Sequence, residues 1–128
     1  GVKDSSYNLF ENLKIDNFSV LPGSENKLLK GLQLGCDGII TATCNITASL
    51  TRKVYDDFIQ NKEQSANEKL CKVRTIFDGY NLISAIHSLM AEIDKSYNNI
   101  LPPLSILENK KCQKLIEDLK KIDFNYKN

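Results

Sequence analysis

Three short apolar runs near one end of the chain set the tightest limit on its fold. They lie at residues 1–3, 18–21 and 38–41, and each is followed within a few residues by a helical pattern. Strand, helix, strand, helix, strand with short connections is the rhythm of repeated parallel β/α units. Parallel strands need helices on both faces and strand neighbours on both sides. This chain has helices in excess and strands in deficit: after the third run everything reads as helix. The first run is only about three residues long and starts without an approach. The expectation is therefore that further strands precede Gly1.

Along the chain, Ser5 and Ser6 are candidate caps for a helix over 7–13, with Leu9, Phe10 and Leu13 on its apolar side. Asp16-Asn17 signals a turn, and Pro22-Gly23 stops the second run. Ser24 is placed to cap a helix carrying Leu28, Leu29, Leu32 and Leu34, which Gly35 ends. Lys27 puts an unfavourable charge in its first turn. The β-branched run at 38–41 reads as a strand buried on both faces. Helical spacing then recurs over 47–60 (Leu50, Val54, Phe58). Three later sets follow: Leu70, Val73, Ile76, Phe77; Ile83, Ile86, Leu89, Met90, Ile93; and Cys112, Leu115, Ile116, Leu119, Ile122. Pro102-Pro103 separates the last two helices.

Seventeen basic residues against 16 acidic ones leave a net charge of +1. That balance gives no electrostatic case for nucleic acid or an anionic membrane surface. No apolar run approaches the ~20 residues of a bilayer span, and no signal-peptide pattern is present, so the expected location is the cytoplasm. Cys36, Cys44, Cys71 and Cys112 form no CxxC pair and fit no zinc module, and they read as scattered buried thiols. The sequons at Asn17 and Asn45 read as chance matches. No metal site is expected.

The residues that could carry chemistry sit at the ends of the three runs. Lys3 closes the first, beside Asp4, Ser5 and Ser6. A lysine there is either a solvated surface residue or, at the mouth of a parallel β/α barrel, an amine whose burial depresses its proton affinity. In the second case it can attack a carbonyl and form a Schiff base. Pro22-Gly23-Ser24-Glu25 is either an ordinary strand-to-helix turn or a place where backbone approaches an anionic ligand. Ile39, Ile40, Thr41, Ala42, Thr43, Cys44 and Asn45 place hydroxyl and amide groups after the third run, to line a site or to cap the next helix. Neither the dinucleotide fingerprint nor the P-loop is present. His87, the single histidine, lies on a helix far from any strand end and reads as non-catalytic.

In this order and spacing, the stretches GVKDSS, FSVLPGSENKLLKGLQLGCDGIITATCNI, YNLISAIHSLMAEI and LPPLSIL resemble the C-terminal half of the dihydrodipicolinate synthase and N-acetylneuraminate lyase family of pyruvate-dependent class I aldolases. The likeness covers nearly the whole chain. It implies an α/β fold: a partial TIM (β/α)8 barrel, its last three β/α units within 1–61, then a C-terminal helical region over 62–128. It implies that Lys3 forms the imine with pyruvate, that Gly23 lies in the substrate pocket, and that the backbone carbonyl of Ile40 faces the bound keto acid. Glu25 and Ala42 fall where sugar-acid and sialic acid aldolases hold a longer substrate with polar side chains, and Thr41 adjoins them as a further substrate-binding candidate. Ala42 has no side-chain hydrogen bond to offer, which argues against a sialic acid lyase. Tyr7 replaces a glycine usual in the family, Asn8 is compatible with it, and His87 stands where many members carry lysine.

What the resemblance implies for function is condensation of pyruvate with an aldehyde. The first choice is 4-hydroxy-tetrahydrodipicolinate synthase acting on aspartate semialdehyde; a 2-keto-3-deoxy sugar-acid aldolase or N-acetylneuraminate lyase is the alternative. A non-catalytic α/β binding module is the rival of another class. No cofactor is implied, and the full-length parent is expected to be a homotetramer. The family's carboxylate-binding turn and proton-relaying tyrosine would lie upstream of Gly1, so residues 1–128 alone are expected to be inactive.

Overall fold

A computed structural model describes residues 1–127 and divides the chain into two compact units, Gly1–Cys71 and a second beginning at Lys72. In the first unit, β1 (Val2–Asp4) and β2 (Val20–Pro22) pair in parallel, with Val2 opposite Val20, Lys3 opposite Leu21 and Asp4 opposite Pro22. Parallel pairing is what the β/α rhythm predicts, although β2 begins two residues later than the apolar run.

The connection between them is not the expected helix over 7–13 but a single 3-10 turn, Leu9–Glu11. The cause is Asp4. Its Oδ1 accepts the backbone N–H of Ser6 (3.1 Å) and of Tyr7 (2.8 Å), and its Oδ2 that of Leu9 (2.6 Å). A carboxylate that collects three successive amides folds the backbone into a local turn in competition with a helix. Asn8, at φ 54°, then adopts a left-handed conformation that interrupts any helical start. Asn17 (φ 56°) supplies the turn before β2 in the same way.

After β2, Ser24 caps as predicted: its Oγ accepts from the amide of Asn26 at 3.3 Å. A 3-10 turn, Glu25–Lys27, leads into α1 (Leu28–Gln33), and Gly35, at φ 88°, ends it.

The third run departs from expectation. Residues 38–41 form no strand; the segment meets the sheet through one backbone bond, from the N–H of Ile40 to the carbonyl of Pro22 (3.1 Å). Ile39 packs on the core, but Ile40 is 48% exposed rather than buried on both faces. A strand is sustained by ladder bonds along its length. Here β2 ends at Pro22, so only its last carbonyl reaches the run.

Next comes α2 (Cys44–Ile59), three residues longer at its start than the apolar spacing indicates. It stops at Asn61 (φ 52°), with Lys62 N–H bonded to Asp57 O (2.7 Å) and Asn61 N–H to Phe58 O (3.1 Å). This pair of bonds closes the helix end in the manner usual for a left-handed glycine. Leu28 and Leu32 of α1, Val54 of α2, Ala66 and Leu70 form the core of this unit, flanked by Leu50, Tyr55 and Phe58.

Helix α3 (Asn67–Asp78) carries Leu70, Val73 and Phe77 buried, on the predicted face. In the second unit, α4 (Leu82–Met90) is capped by Asn81, whose Oδ1 accepts from the Ser84 amide (3.1 Å). Its buried face is Ser84, Ala85, Ile86, Ser88 and Leu89; Ile83 and Ile93, read as apolar-face positions, are exposed. Small side chains, not large ones, mark this interface. Ser88 Oγ donates to Ser84 O (2.8 Å) and accepts from Leu107 N–H (2.7 Å), which fixes the segment entering α5 (Asn109–Lys121). In α5 Leu115 and Leu119 are fully buried, and the helix closes at Asp123 (φ 54°) with the same pair of bonds that ends α2.

Candidate active site

The candidate site lies where β1 and β2 end, on the carboxyl side of a parallel pair, the side on which such folds carry their ligands. Successive side chains of a strand point to opposite faces. Asp4 is therefore turned inward (3% exposed) and Lys3 outward and exposed. Lys3 Nζ donates to Ser5 Oγ at 3.0 Å. The three amides around Asp4, that of Tyr7 foremost, hold its carboxyl below the usual carboxylate range against the opposing effect of burial. Asp4 is thus an ionised anchor for the turn that follows Lys3, a role for which the sequence carries only the Asp-Ser-Ser composition of a turn.

Gly23 follows β2 directly, and its N–H donates to Asp4 O at 2.8 Å. A Cβ there would lie 2.8 Å from Ser5 Oγ and 3.0 Å from Ser5 Cα. The glycine is required by the close approach of two strand ends. Ile40 is drawn to the same place by its bond to Pro22, the residue before Gly23. Lys3, Gly23 and Ile40 thus stand around the ends of β1 and β2.

Glu25 and Thr41 sit deeper. Glu25 is fully buried and Thr41 nearly so. Glu25 Oε2 accepts from Thr41 Oγ1 (3.0 Å), while Oε1 accepts from Thr43 Oγ1 and from Thr47 Oγ1 (3.1 Å). Thr43 is among the residues that the sequence offers as a site lining or a helix cap, whereas Thr47 is not singled out; its signal is the Thr-x-Thr-x-x-x-Thr spacing after the third run. Thr43 in fact makes no side-chain cap on α2. The four cysteines form no disulfide and are half-buried rather than buried, and burial pushes the thiols of Cys44 and Cys71 up. His87 has its Nδ1 2.8 Å from the carbonyl of Tyr97.

An amine, a glycine turn and the Ile40 backbone thus meet near the ends of one parallel strand pair. The chain belongs to the dihydrodipicolinate synthetase family, whose model matches residues 1–122. A 4-hydroxy-tetrahydrodipicolinate synthase from Archaeoglobus fulgidus is 29% identical over 83 residues, 61% of this chain and 29% of that protein. Among solved structures, dihydrodipicolinate synthase from Aquifex aeolicus is similar to 98% of this chain and 46% of its own (TM-score 0.79, 19% identity). N-acetylneuraminate lyase from Proteus mirabilis is similar over 96% and 44% (TM-score 0.77, 18% identity). A prophage protein of the family from E. coli K12, solved in complex with pyruvate, is similar over 84% and 38% (TM-score 0.73, 20% identity). The chain therefore spans less than half the length of these relatives. No helix among the described residues is long and apolar enough to cross a membrane.

Proposed function

We propose that this chain supplies the imine-forming part of a class I aldolase: the last three β/α units of a (β/α)8 barrel over 1–61 and its C-terminal helical region over 62–128. The observation that carries the reading is the parallel pairing of the strand bearing Lys3 with the strand leading into Gly23, in a chain of this family. The Lys3 amine, once it has given up its proton, attacks the keto carbon of pyruvate, and loss of water leaves an iminium. Loss of a methyl proton to a base gives an enamine, the iminium having taken up the electron pair. The enamine carbon bonds to the aldehyde carbon of the second substrate, and hydrolysis of the imine returns the amine. Gly23 and the Ile40 carbonyl line the keto acid in this reading, with Glu25 and Thr41 behind them. The metal-free chemistry needs no cofactor.

The second substrate we assign first is aspartate semialdehyde, which makes the complete enzyme a 4-hydroxy-tetrahydrodipicolinate synthase in lysine biosynthesis; the name of the Archaeoglobus relative favours it. The likeness to the Proteus lyase favours cleavage of a sialic or sugar acid as the second reading. The complete enzyme is proposed to be a cytoplasmic homotetramer, and residues 1–128 alone to be inactive. Incubation of the complete protein with pyruvate and borohydride tests the assignment. A pyruvate adduct on Lys3 is expected by mass spectrometry; an unmodified Lys3 would leave the non-catalytic binding module as the better account.

A further inference from the structure

We propose that Glu25 is a positioning residue: its buried carboxylate ties the turn after β2 to the loop carrying Ile40, and so sets the Ile40 carbonyl against Gly23. It does not itself touch the substrate. The inference rests on the aldolase reading of the same strand ends.

The geometry is that of a closed lock. Glu25 is two residues beyond Gly23, and Thr41 is the residue after Ile40. Between them runs α1, so the bonds from Glu25 to Thr41, Thr43 and Thr47 join segments 16, 18 and 22 residues apart. The backbone bond from Ile40 to Pro22 splices the same two segments on the other side. Thr41 and Thr43 hydroxyls lie 3.0 Å apart, and Thr47 Oγ1 also lies 3.0 Å from Thr43 O. A carboxylate offers about four lone-pair sites, and three hydroxyls converge on this one. The side chain is fully buried, so it is closed to a ligand approaching from solvent. Polar networks of this kind specify one arrangement when every member is satisfied, and lose it when one is removed. Thr47 is on α2, so the lock also pins that helix to the loop.

The test uses the complete enzyme with Glu25→Gln, Thr43→Val and, as the conservative change, Thr43→Ser. Three quantities are read: deuterium exchange at the Ile40 amide, the fraction of Lys3 trapped by pyruvate and borohydride, and enzyme-catalysed deuterium exchange into the pyruvate methyl group per trapped site. The last needs the imine and enamine but no aldehyde. For Glu25→Gln and Thr43→Val we expect faster exchange at Ile40, Lys3 still trapped, and methyl exchange per trapped site reduced about tenfold or more, since a displacement of ~1 Å can cost a hundredfold. Thr43→Ser restores both. Unchanged methyl exchange per trapped site, or unchanged protection at Ile40, overturns the proposal. Should Glu25→Gln not fold, the two Thr43 variants decide alone. No trapping in the unsubstituted enzyme refutes the aldolase reading, while Ile40 exchange still decides whether the lock exists.

Discussion

Replacing Gly23 with alanine tests how tightly the ends of β1 and β2 are joined. The added Cβ would stand 2.8 Å from Ser5 Oγ, 3.0 Å from Ser5 Cα and 3.3 Å from Asp4 O. The hydroxyl is the free end of a side chain and can rotate away, at the loss of its bond from Lys3 Nζ. The Cα cannot move without shifting the turn that Asp4 holds through three amides. Overpacking of this sort costs about 1–3 kcal/mol. Alanine also narrows the unfolded ensemble, which returns about 0.4–1 kcal/mol. The net expectation is destabilisation of about 1–2 kcal/mol, a fall of roughly 0.5–1 M in urea midpoint for a slope of about 2 kcal/mol per molar.

Two further variants separate the causes. Ser5→Gly combined with Gly23→Ala removes the hydroxyl clash and leaves the Cα clash, so it should recover only part of the loss. Gly35→Ala has no atom within 4 Å of its new Cβ but sits at φ 88°, so its cost of about 1 kcal/mol comes from backbone strain and should ignore Ser5. A Gly23→Ala protein as stable as the parent, or one restored fully by removing the serine hydroxyl, would refute the argument that the two backbones meet at Gly23.

Three other expectations follow from particular bonds. Asp4→Asn should destabilise, and the deficit should shrink with acid: the folded pKa of Asp4 lies below its unfolded value of about 3.9, so its contribution is complete above that value and disappears as pH falls through the folded one. Urea midpoints at pH 7 and pH 3 check this, and a deficit independent of pH counts against it. Leu70→Ala, at a fully buried position of the first unit's core, should cost about 2–5 kcal/mol by the same unfolding assay. Asn61→Val should cost about 1–2 kcal/mol by forcing a β-branched residue to φ 52°, whereas Asn61→Gly should be neutral or slightly stabilising.

Helices α2, α3 and α5 were legible because their apolar residues recur at one period and pack on one face. For α4 the period misled: Ile83 is large, apolar and exposed, while Ser84 and Ser88 are buried. The Ser88 hydroxyl has specific partners in the Ser84 carbonyl and the Leu107 amide, and hydropathy assigns no value to such bonds. Glycine marks the helix end at Gly35, whereas at the ends of α2 and α5 Asn61 and Asp123 take the left-handed position instead. The helix expected after Lys3 failed for a related reason. Serines were read as caps, but the carboxylate of Asp4, one residue earlier, outcompetes them for the same amides.

An exposed Lys3 and an unformed third strand are both found at this two-stranded sheet. In a two-stranded sheet each strand has one unpaired edge and faces that only local chain can cover. Lys3 points to the face opposite the buried Asp4 and donates there to Ser5. Residues 38–41 reach the last carbonyl of β2 and no more. What keeps Gly23 and Ile40 together under those conditions is therefore not the sheet. It is the buried Glu25 with its three threonines, beside the one bond from Ile40 N–H to the Pro22 carbonyl. Interactions local to the loops thus help hold these segments together.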